Sequence, residues 1–228
     1  MEKHTISVED MRVNNLFEPG QTITWEFLTK LNWPWEAIPL IGVYVNTLID
    51  ELDKSEYDER PDNVLIHKTA TIAASAHIGS NVIIGADTEV RHCAYIRNDV
   101  IIGNGAVIGN STELKNVILF NRVQVPHYNY VGDSILGYKS HFGAGVITSN
   151  VKSDSSLVTV SCGNERLETG LKKFGAILGD FVEVGCNAVL NPGTVIGART
   201  NIYPLSSVRG FIPAGSIYKK QGDIAEKR

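Results

Sequence analysis

The stretch IHKTATIAASAHIGSNVIIGADTEVRHCAYIRNDVIIGNGAVIGNSTEL, residues 66–114, decides the fold of this 228-residue chain. Within it an isoleucine, valine or leucine returns at every sixth position, and the residue four positions later is nearly always small or β-branched. This period is typical of a short strand followed by a corner, and three such turns close one coil. Stacked coils bury each other's open faces. The sequence therefore predicts an all-β fold, a parallel β-helix of hexapeptide repeats with about seven coils, over residues 64–210.

The period is interrupted in two places. Between Leu114 and Phe142 the frame slips by one residue twice, and residues 149–176 form an insertion that leaves the period altogether. The insertion contains SLVTVSCGNERLETG, whose alternating pattern and Gly-Asn pair are typical of a β-hairpin, so we expect a protruding hairpin. The repeat resumes at Leu178 and continues to Val208. Residues 211–228 leave the register and are predicted to cap the open end.

The first 63 residues have a different design. All three tryptophans lie there, and residues 40–52 carry apolar side chains at helical spacing, which predicts an amphipathic helix packed against the rest of the protein. The charged stretch of residues 53–63 is interpreted as a linker. We therefore expect an N-terminal helical segment with its linker (1–63), a β-helix domain (64–210) and a C-terminal cap (211–228).

Composition excludes several classes of protein. A net charge of −4 with no basic stripe argues against nucleic-acid binding. The three cysteines form no close pair, which excludes a disulfide framework or a zinc knuckle and favours a reducing compartment. No leader peptide and no membrane-spanning segment is recognisable. We expect a cytoplasmic protein with no membrane partner.

The coil length places distant residues next to each other. Arg97 and Lys115 are one coil apart and so stack at one corner, where two like charges indicate a bound anion such as a phosphate. The alternative is a pair of solvated cations splayed apart. His127 lies where the first slip is completed and shares a column with His92 and Asn110. A histidine there suits a general base that deprotonates an amine, although a structural surface histidine is the alternative.

Four segments between Arg97 and Asn150 carry a family resemblance: IRND, ELKN, HYNYVGD and FGAGVITSN, in that order. They resemble the acetyltransferase half of the bifunctional glucosamine-1-phosphate acetyltransferase / N-acetylglucosamine-1-phosphate uridyltransferase, and its short sugar-phosphate nucleotidyltransferase relatives. The resemblance covers residues 64–215 and implies a left-handed β-helix, acetyl-CoA as acetyl donor, and a homotrimer. No Gly-rich nucleotide loop opens the chain, so the uridyltransferase half is expected to be absent.

The resemblance also implies roles for single residues. His127 is the general base, Arg97, Lys115 and Tyr130 hold the sugar phosphate, and Asn150 contacts the sugar. His141 stands where the family has a sugar-side asparagine, and Val151 where it has a coenzyme-contacting tyrosine. The positions implied for the coenzyme are Ala144 and Cys186, with Lys172 and Lys173 as replacements for a lost phosphate contact, or else as a solvated pair.

Three functions are consistent with these residues. The leading hypothesis is acetyl transfer from acetyl-CoA to the amine of an amino-sugar 1-phosphate, in UDP-N-acetylhexosamine biosynthesis. The second is a non-catalytic module that binds sugar phosphates or nucleotide sugars, favoured by the departures at the coenzyme positions. The third, a zinc-dependent carbonic anhydrase of the same fold, needs three clustered histidines. Because His127 and His141 are fourteen residues apart, no metal site is expected.

Overall fold

A computed structural model, which describes residues 6–227, confirms the predicted β-helix but has about nine turns in place of the seven coils expected. Short helices precede it: α1 (Val13–Leu16), α2 (Trp25–Leu28) and α3 (Ile41–Glu51), with 3-10 turns at Val8–Met11, Pro34–Leu40 and Lys54–Glu56. The strands are, in chain order, β1 (Tyr57–Arg60), β2 (Val64–His67), β3 (Thr71–Ile72), β4 (His77–Ile78), β5 (Val82–Ile84), β6 (Glu89–Val90), β7 (Tyr95–Ile96), β8 (Val100–Ile102), β9 (Val107–Asn110), β10 (Glu113–Leu119), β11 (Gln124–His127), β12 (Tyr130–Leu136), β13 (His141–Phe142), β14 (Ile147–Thr148), β15 (Thr159–Cys162), β16 (Glu165–Glu168), β17 (Ala176–Leu178), β18 (Glu183–Val184), β19 (Val189–Leu190), β20 (Thr194–Ile196), β21 (Asn201–Ile202), β22 (Ser207–Val208), β23 (Phe211–Ile212), β24 (Ser216–Lys220) and β25 (Asp223–Glu226).

Parallel pairing arranges these strands into three faces. Face A holds β2, β5, β8, the second halves of β10 and β12, then β17, β20 and β23. Face B holds β3, β6, β9, β11, β13, β18, β21 and β24. Face C holds β4, β7, the first halves of β10 and β12, then β14, β19 and β22. The core lies inside this prism, and the six-residue positions from Ile84 to Leu114 are at most 1% exposed.

The N-terminal segment, residues 6–52, covers face A. Helix α3 forms as predicted and packs on β5, β8 and β10, while the turn before it packs on β12. Face A strands therefore have apolar side chains on both sides. Outward-pointing residues at the centres of these strands have no exposed surface, and they are Ile83, Ile101, Ile118, Ile135 and Ile177. The segment is thus a cover for one face of the prism, a role that its amphipathic helix alone does not specify.

The two frame slips are present at the corner between faces C and A. Leu114 pairs with Val131 and Leu119 pairs with Leu136, seventeen positions apart. Each slip removes one corner residue, so β10 and β12 each run through this corner as one seven-residue strand. The shortened corners remain tight, because Asn116 and Asp133 have left-handed backbones with φ of 54° and 49°. Asparagine and aspartate tolerate that conformation better than most residues.

The hairpin forms but does not stand free. Strands β15 and β16 are antiparallel and close at the Gly-Asn pair, as predicted. One side of the hairpin is buried, since Val158 and Val160 have no exposed surface. Its backbone lies close to the glycine corners of the last coils: a Cβ on Gly193 would come 2.6 Å from the carbonyl oxygen of Thr159. The hairpin therefore packs along the β-helix.

Both ends of the prism are closed by antiparallel strands. Residues 53–63, interpreted as a linker, instead contain β1, which pairs antiparallel with β2 and covers the first coil. The expected cap (211–228) first continues the β-helix, because β23 and β24 pair in parallel with the coil before them. Only β25 turns back, antiparallel to β24. The first five residues of the predicted N-terminal segment and the last residue of the predicted cap lie outside the described residues.

Candidate active site

One column of residues follows the corner between faces B and C. His127 is in register with Asn110, and the Asn110 amide donates to the carbonyl oxygen of His92 at 3.1 Å. In the next coils the Gly145 N–H donates to the His127 carbonyl, and the Asn187 N–H donates to the Ala144 carbonyl. The column predicted from spacing therefore exists and continues downward. Its members are His92, Asn110, His127, Ala144 and Cys186, so the two positions assigned to the coenzyme lie one and two coils below His127.

The backbone of His127 is fixed while its side chain is free. His127 ends β11 and is exposed; its N–H donates to Asn129 Oδ1 at 3.1 Å, and the buried Asn129 amide in turn donates to the Gly143 carbonyl at 2.9 Å. Within residues 6–227 the His127 imidazole has no hydrogen-bond or ionic partner. A histidine held by its backbone with an unpartnered ring suits a general base.

A buried carboxylate organises the other end of face C. Asp133 is 2% exposed, and its Oδ1 lies 3.2 Å from Lys115 Nζ and accepts from the Asn116 amide at 2.8 Å. Its other oxygen accepts from the Asn150 amide at 2.5 Å. The sequence reasoning assigned Lys115 and Asn150 but missed Asp133. The available signal was a run of Asn and Asp at coil spacing along one corner, comprising Asn81, Asp99, Asn116, Asp133 and Asn150.

Arg97 and Lys115 stack as predicted, yet each has its own carboxylate. Because Ile96 pairs with Leu114, Arg97 lies one coil above Lys115. Arg97 binds Glu113 at 3.0 Å, and this hydrogen bond raises the pKa of the guanidinium. Lys115 is paired with Asp133. The mutual repulsion that indicated an anion is therefore already relieved within the chain, although the Arg97 side chain is 41% exposed and free to turn to a ligand.

Tyr130 lies at the start of β12, between His127 and Asp133 in the chain. Its hydroxyl accepts from the Asn150 amide at 3.3 Å, which leaves the phenol proton free to donate. Partial burial, reinforced by the carboxylates of Asp133 and Glu113, raises the pKa of this hydroxyl. The ring covers Gly132, where a Cβ would come 2.5 Å from the Tyr130 oxygen. Tyr130 is thus a neutral donor held in a fixed position.

His141 lies apart from the other predicted substrate residues. It lies on face B, where it is in register with Gln124 and Glu183, and its Nδ1 is 2.8 Å from Glu183 Oε2. Within one chain it does not meet Tyr130 or Asn150. Lys172 and Lys173 are exposed at the end of the hairpin insertion, just before Phe174, whose N–H donates to the Asn150 carbonyl. These lysines therefore lie at the Asn150 end of the site.

Comparison with known proteins identifies the family. Residues 87–202, just over half of the chain, match the GMPPB C-terminal domain. The chain belongs to this family. The GMPPB C-terminal domain match contains strands β6 to β21 in full and includes every predicted site residue. No group of three or more His, Cys, Asp or Glu side chains in the described residues is placed to hold a metal ion.

Relatives of this GMPPB C-terminal domain protein agree with the resemblance seen in its motifs. It is 35% identical over 109 residues to the bifunctional sugar-1-phosphate nucleotidylyltransferase/acetyltransferase of Sulfurisphaera tokodaii, covering 48% of this chain and 27% of that protein. It is 36% identical over 119 residues to the bifunctional protein GlmU of Methanococcus vannielii, covering 52% and 28%. The match thus spans little more than a quarter of these relatives.

A solved structure is also similar. The acetyltransferase domain of PglB from Neisseria gonorrhoeae shares 18% identity with a TM-score of 0.31, covering 68% of this chain and 53% of that one.

Among residues 6–227, no helix is both long and apolar enough to cross a membrane.

Proposed function

We propose that this protein transfers an acetyl group from acetyl-CoA to the amine of an amino-sugar 1-phosphate. The observation that carries the proposal is the column in which Ala144 and Cys186 lie one and two coils below His127 with its free imidazole. A base and a coenzyme strip on adjacent coils lie within reach of one acetyl group, since coils repeat at about 4.8 Å. The names of the bifunctional relatives support the same chemistry.

In this proposal the chain's own residues bind the acceptor and move one proton. The Tyr130 hydroxyl donates a hydrogen bond to the sugar phosphate, and Arg97 turns from Glu113 to the same group. Asn150, held by Asp133, contacts the sugar. The amine nitrogen of the acceptor bonds to the acetyl carbon, and the carbon–sulfur bond of acetyl-CoA breaks. His127 takes the proton that the amine loses. The coenzyme leaves as the thiol once it receives that proton.

The coenzyme strip fits an extended ligand. In the two coils below His127 its column carries the small side chains of Ala144 and Cys186, flanked by Gly143, Gly145 and Gly185. Side chains of this size leave the backbone accessible along the prism axis. A backbone N–H beside the acetyl carbonyl would stabilise the charge that develops on its oxygen. His141, Lys172 and Lys173 stay predictions, since each lies outside this column within one chain.

The test is release of free thiol from acetyl-CoA across a panel of hexosamine 1-phosphates. We expect thiol release only with an acceptor present, and a loss of about a hundredfold or more in His127→Ala, because general-base catalysis contributes that much. His92→Ala is the matched control: it stands in the same column, but its ring binds Ser75 Oγ at 2.6 Å. Wild-type turnover by His127→Ala would remove the assigned base.

A second candidate is a non-catalytic module for sugar phosphates or nucleotide sugars. Two observations favour it: the predicted phosphate cations already have carboxylate partners, and Val151 is 47% exposed where a coenzyme-contacting tyrosine was expected. The thiol-release assay separates the two, because a non-catalytic module binds its sugar ligand in calorimetry but releases no thiol from acetyl-CoA with any acceptor.

A further inference from the structure

A second stack of cations lies at the corner between faces A and B. Face B separates this corner from the corner that carries His127. The N–H of Lys139 donates to the Asn121 carbonyl, and the N–H of Phe181 donates to the Tyr138 carbonyl. These bonds place Arg122, Lys139 and Phe181 on three successive coils of one column. All three have left-handed backbones, with φ between 54° and 58°. That conformation is uncommon for long or aromatic side chains and is usually taken by Gly, Asn or Asp.

Neither cation of this column is neutralised. Arg122 and Lys139 are both exposed, and within residues 6–227 neither has a carboxylate within ion-pair distance. The Lys139 ammonium lies 5.3 Å from the Tyr138 ring centroid and 5.7 Å from that of Phe181, which orients it without cancelling its charge. This contrasts with Arg97 and Lys115, each of which has its own acidic partner. Of these two stacks of cations, the stack of Arg122 and Lys139 is therefore the one in which the mutual repulsion is not relieved by carboxylates.

A groove of about 530 Å³ opens beside these cations. Gly105 stands one coil above Arg122 and carries no side chain, so the upper part of the groove is open. Below, the groove is lined by Phe181, whose ring also contacts Tyr138 and the Arg199 guanidinium, the latter 4.4 Å from the ring centroid. The remaining lining residues are Gln124, His141 and Glu183.

The groove retains a positive balance. Its single carboxylate, Glu183, is directed to His141 at 2.8 Å and not to either cation. Arg122 and Lys139 thus present two cations, about one coil spacing apart, to an open volume that has apolar and amide walls. Arginine binds two phosphate oxygens at once, and lysine adds a point charge. Two adjacent phosphates of one ligand match this pair.

We propose that the groove at Arg122 and Lys139 binds the diphosphate of an organic diphosphate ester, the chemistry shared by coenzyme A and nucleotide sugars. The diphosphate lies against the two cations, and the organic part extends along face B toward Gln124 and His141. This site does not depend on the acetyl transfer proposed above, because it is defined by binding without turnover. It gives His141 a ligand-contacting position away from Tyr130.

The test is calorimetric titration of the full chain with coenzyme A, UDP-N-acetylglucosamine and inorganic pyrophosphate, in separate experiments. We expect at least one ester to bind, and the ester that binds identifies the source. Arg122→Asn and Lys139→Asn should each weaken it about tenfold, and the double variant about a hundredfold, since charge-assisted hydrogen bonds contribute on that order. Asparagine keeps the left-handed corner, and circular dichroism checks that the variants fold.

The matched control is the double variant Lys30→Asn, Lys220→Asn, which removes the same charge from exposed positions outside the groove. It should bind like the wild type. Wild-type affinity in the Arg122, Lys139 double variant overturns the proposal, as does binding of pyrophosphate alone or of nothing. A protein that binds an ester here but transfers no acetyl group would contradict the proposed function and leave this site intact.

Discussion

Lys115 and Asp133 form an ion pair across one coil of the prism, with Lys115 Nζ 3.2 Å from Asp133 Oδ1. Their side chains are 19% and 3% exposed, and two asparagine amides complete the shell of the carboxylate. The pair joins the β-helix corner to the candidate site, because Asn150 is one of those asparagines.

Asp133→Asn should lower the free energy of unfolding by about 3 kcal/mol, since removing one partner leaves the largely buried Lys115 charge without compensation. Urea denaturation followed by circular dichroism measures the change. Glu113→Gln is the matched control: its pair with Arg97 is much more exposed, so this variant should lose clearly less stability. Equal losses in the two variants would contradict this account of the buried pair.

Tyr130→Phe should raise the KM for the sugar phosphate about tenfold with little change in stability. The variant keeps the ring over Gly132 and removes only the hydroxyl, whose contribution as one hydrogen bond to a charged ligand is on the order of 1.5–3 kcal/mol. Steady-state kinetics measures this effect. Tyr95→Phe alters an exposed hydroxyl in the same column and should leave KM unchanged. Equal KM values in both variants would remove Tyr130 from the acceptor site.

Stability should fall as the pH rises from 4 through 6, because burial raises the pKa of Asp180 from 3.8 to about 6. A raised folded-state pKa means that the native protein holds this proton more tightly than the unfolded chain does, so the associated stability is full below pH 4 and lost above pH 6. Asp180 accepts N–H bonds from Glu18 and Tyr138 at 2.6 and 2.7 Å, which only partly offset burial.

Asp180→Asn removes that titration, so its free energy of unfolding should change less between pH 4 and 6 than that of the wild type. Urea denaturation at several pH values provides the comparison. Asp87→Asn, at an exposed position of the same corner, should keep the wild-type dependence. An unchanged pH slope in Asp180→Asn would show that other groups set it.

Ile101→Ala should destabilise the protein by about 3 kcal/mol, although its side chain points out of the prism. The N-terminal segment buries it completely on face A. Val107→Ala provides the comparison, because Val107 points outward from face B and is only half-buried; it should cost less than 1.5 kcal/mol. Thermal or urea unfolding distinguishes them, and a near-neutral Ile101→Ala would mean that the cover is loosely attached.

We predict a homotrimer that associates through face C, because face A is already covered by the chain itself. Face C exposes three large apolar side chains, Tyr95, Ile147 and Val189, at 44%, 41% and 36% exposure, in the column that also holds Glu113 and Tyr130. Light scattering after size exclusion should give three times the chain mass of 24.9 kDa. Ile147→Glu with Val189→Glu should dissociate the trimer, whereas Val43→Glu, exposed on α3, should not. A monomeric wild type contradicts the prediction.

The sequence predicts this fold well where one physical requirement acts alone. Inward positions must be aliphatic, so the six-residue period identified the core from Ile84 to Leu114 and the slips before Phe142. The cover on face A was harder to predict, because an outward apolar residue such as Ile101 fits either a buried strand or a subunit interface. The Asp133 site was missed because a slip aligns residues seventeen apart and not eighteen.

The candidate site was also predicted only in part: the backbone register was predicted, and the side-chain partners were not. Coil spacing correctly stacked His127 on Asn110 and Arg97 on Lys115, since backbone register follows from the period. Which carboxylate each cation chooses depends on side-chain direction at the corners, and spacing does not encode that. His141 could be placed on a face by counting, but its partner Glu183 is 42 positions away across the insertion.

Attachment of residues 6–52 to the prism fixes how many coils this protein can have. The Ile38 and Gly42 carbonyls accept from the side-chain amides of Asn116 and Asn81, and the Glu18 N–H donates to the Asp180 carboxylate. One continuous segment is therefore attached to particular coils along the axis. In an uncovered repeat array each unit contacts only its neighbours, so no contact between distant units sets the number of units. Here, duplicating or deleting a coil between Asn81 and Asp180 would shift every later attachment point by about 4.8 Å, so the array has a set length.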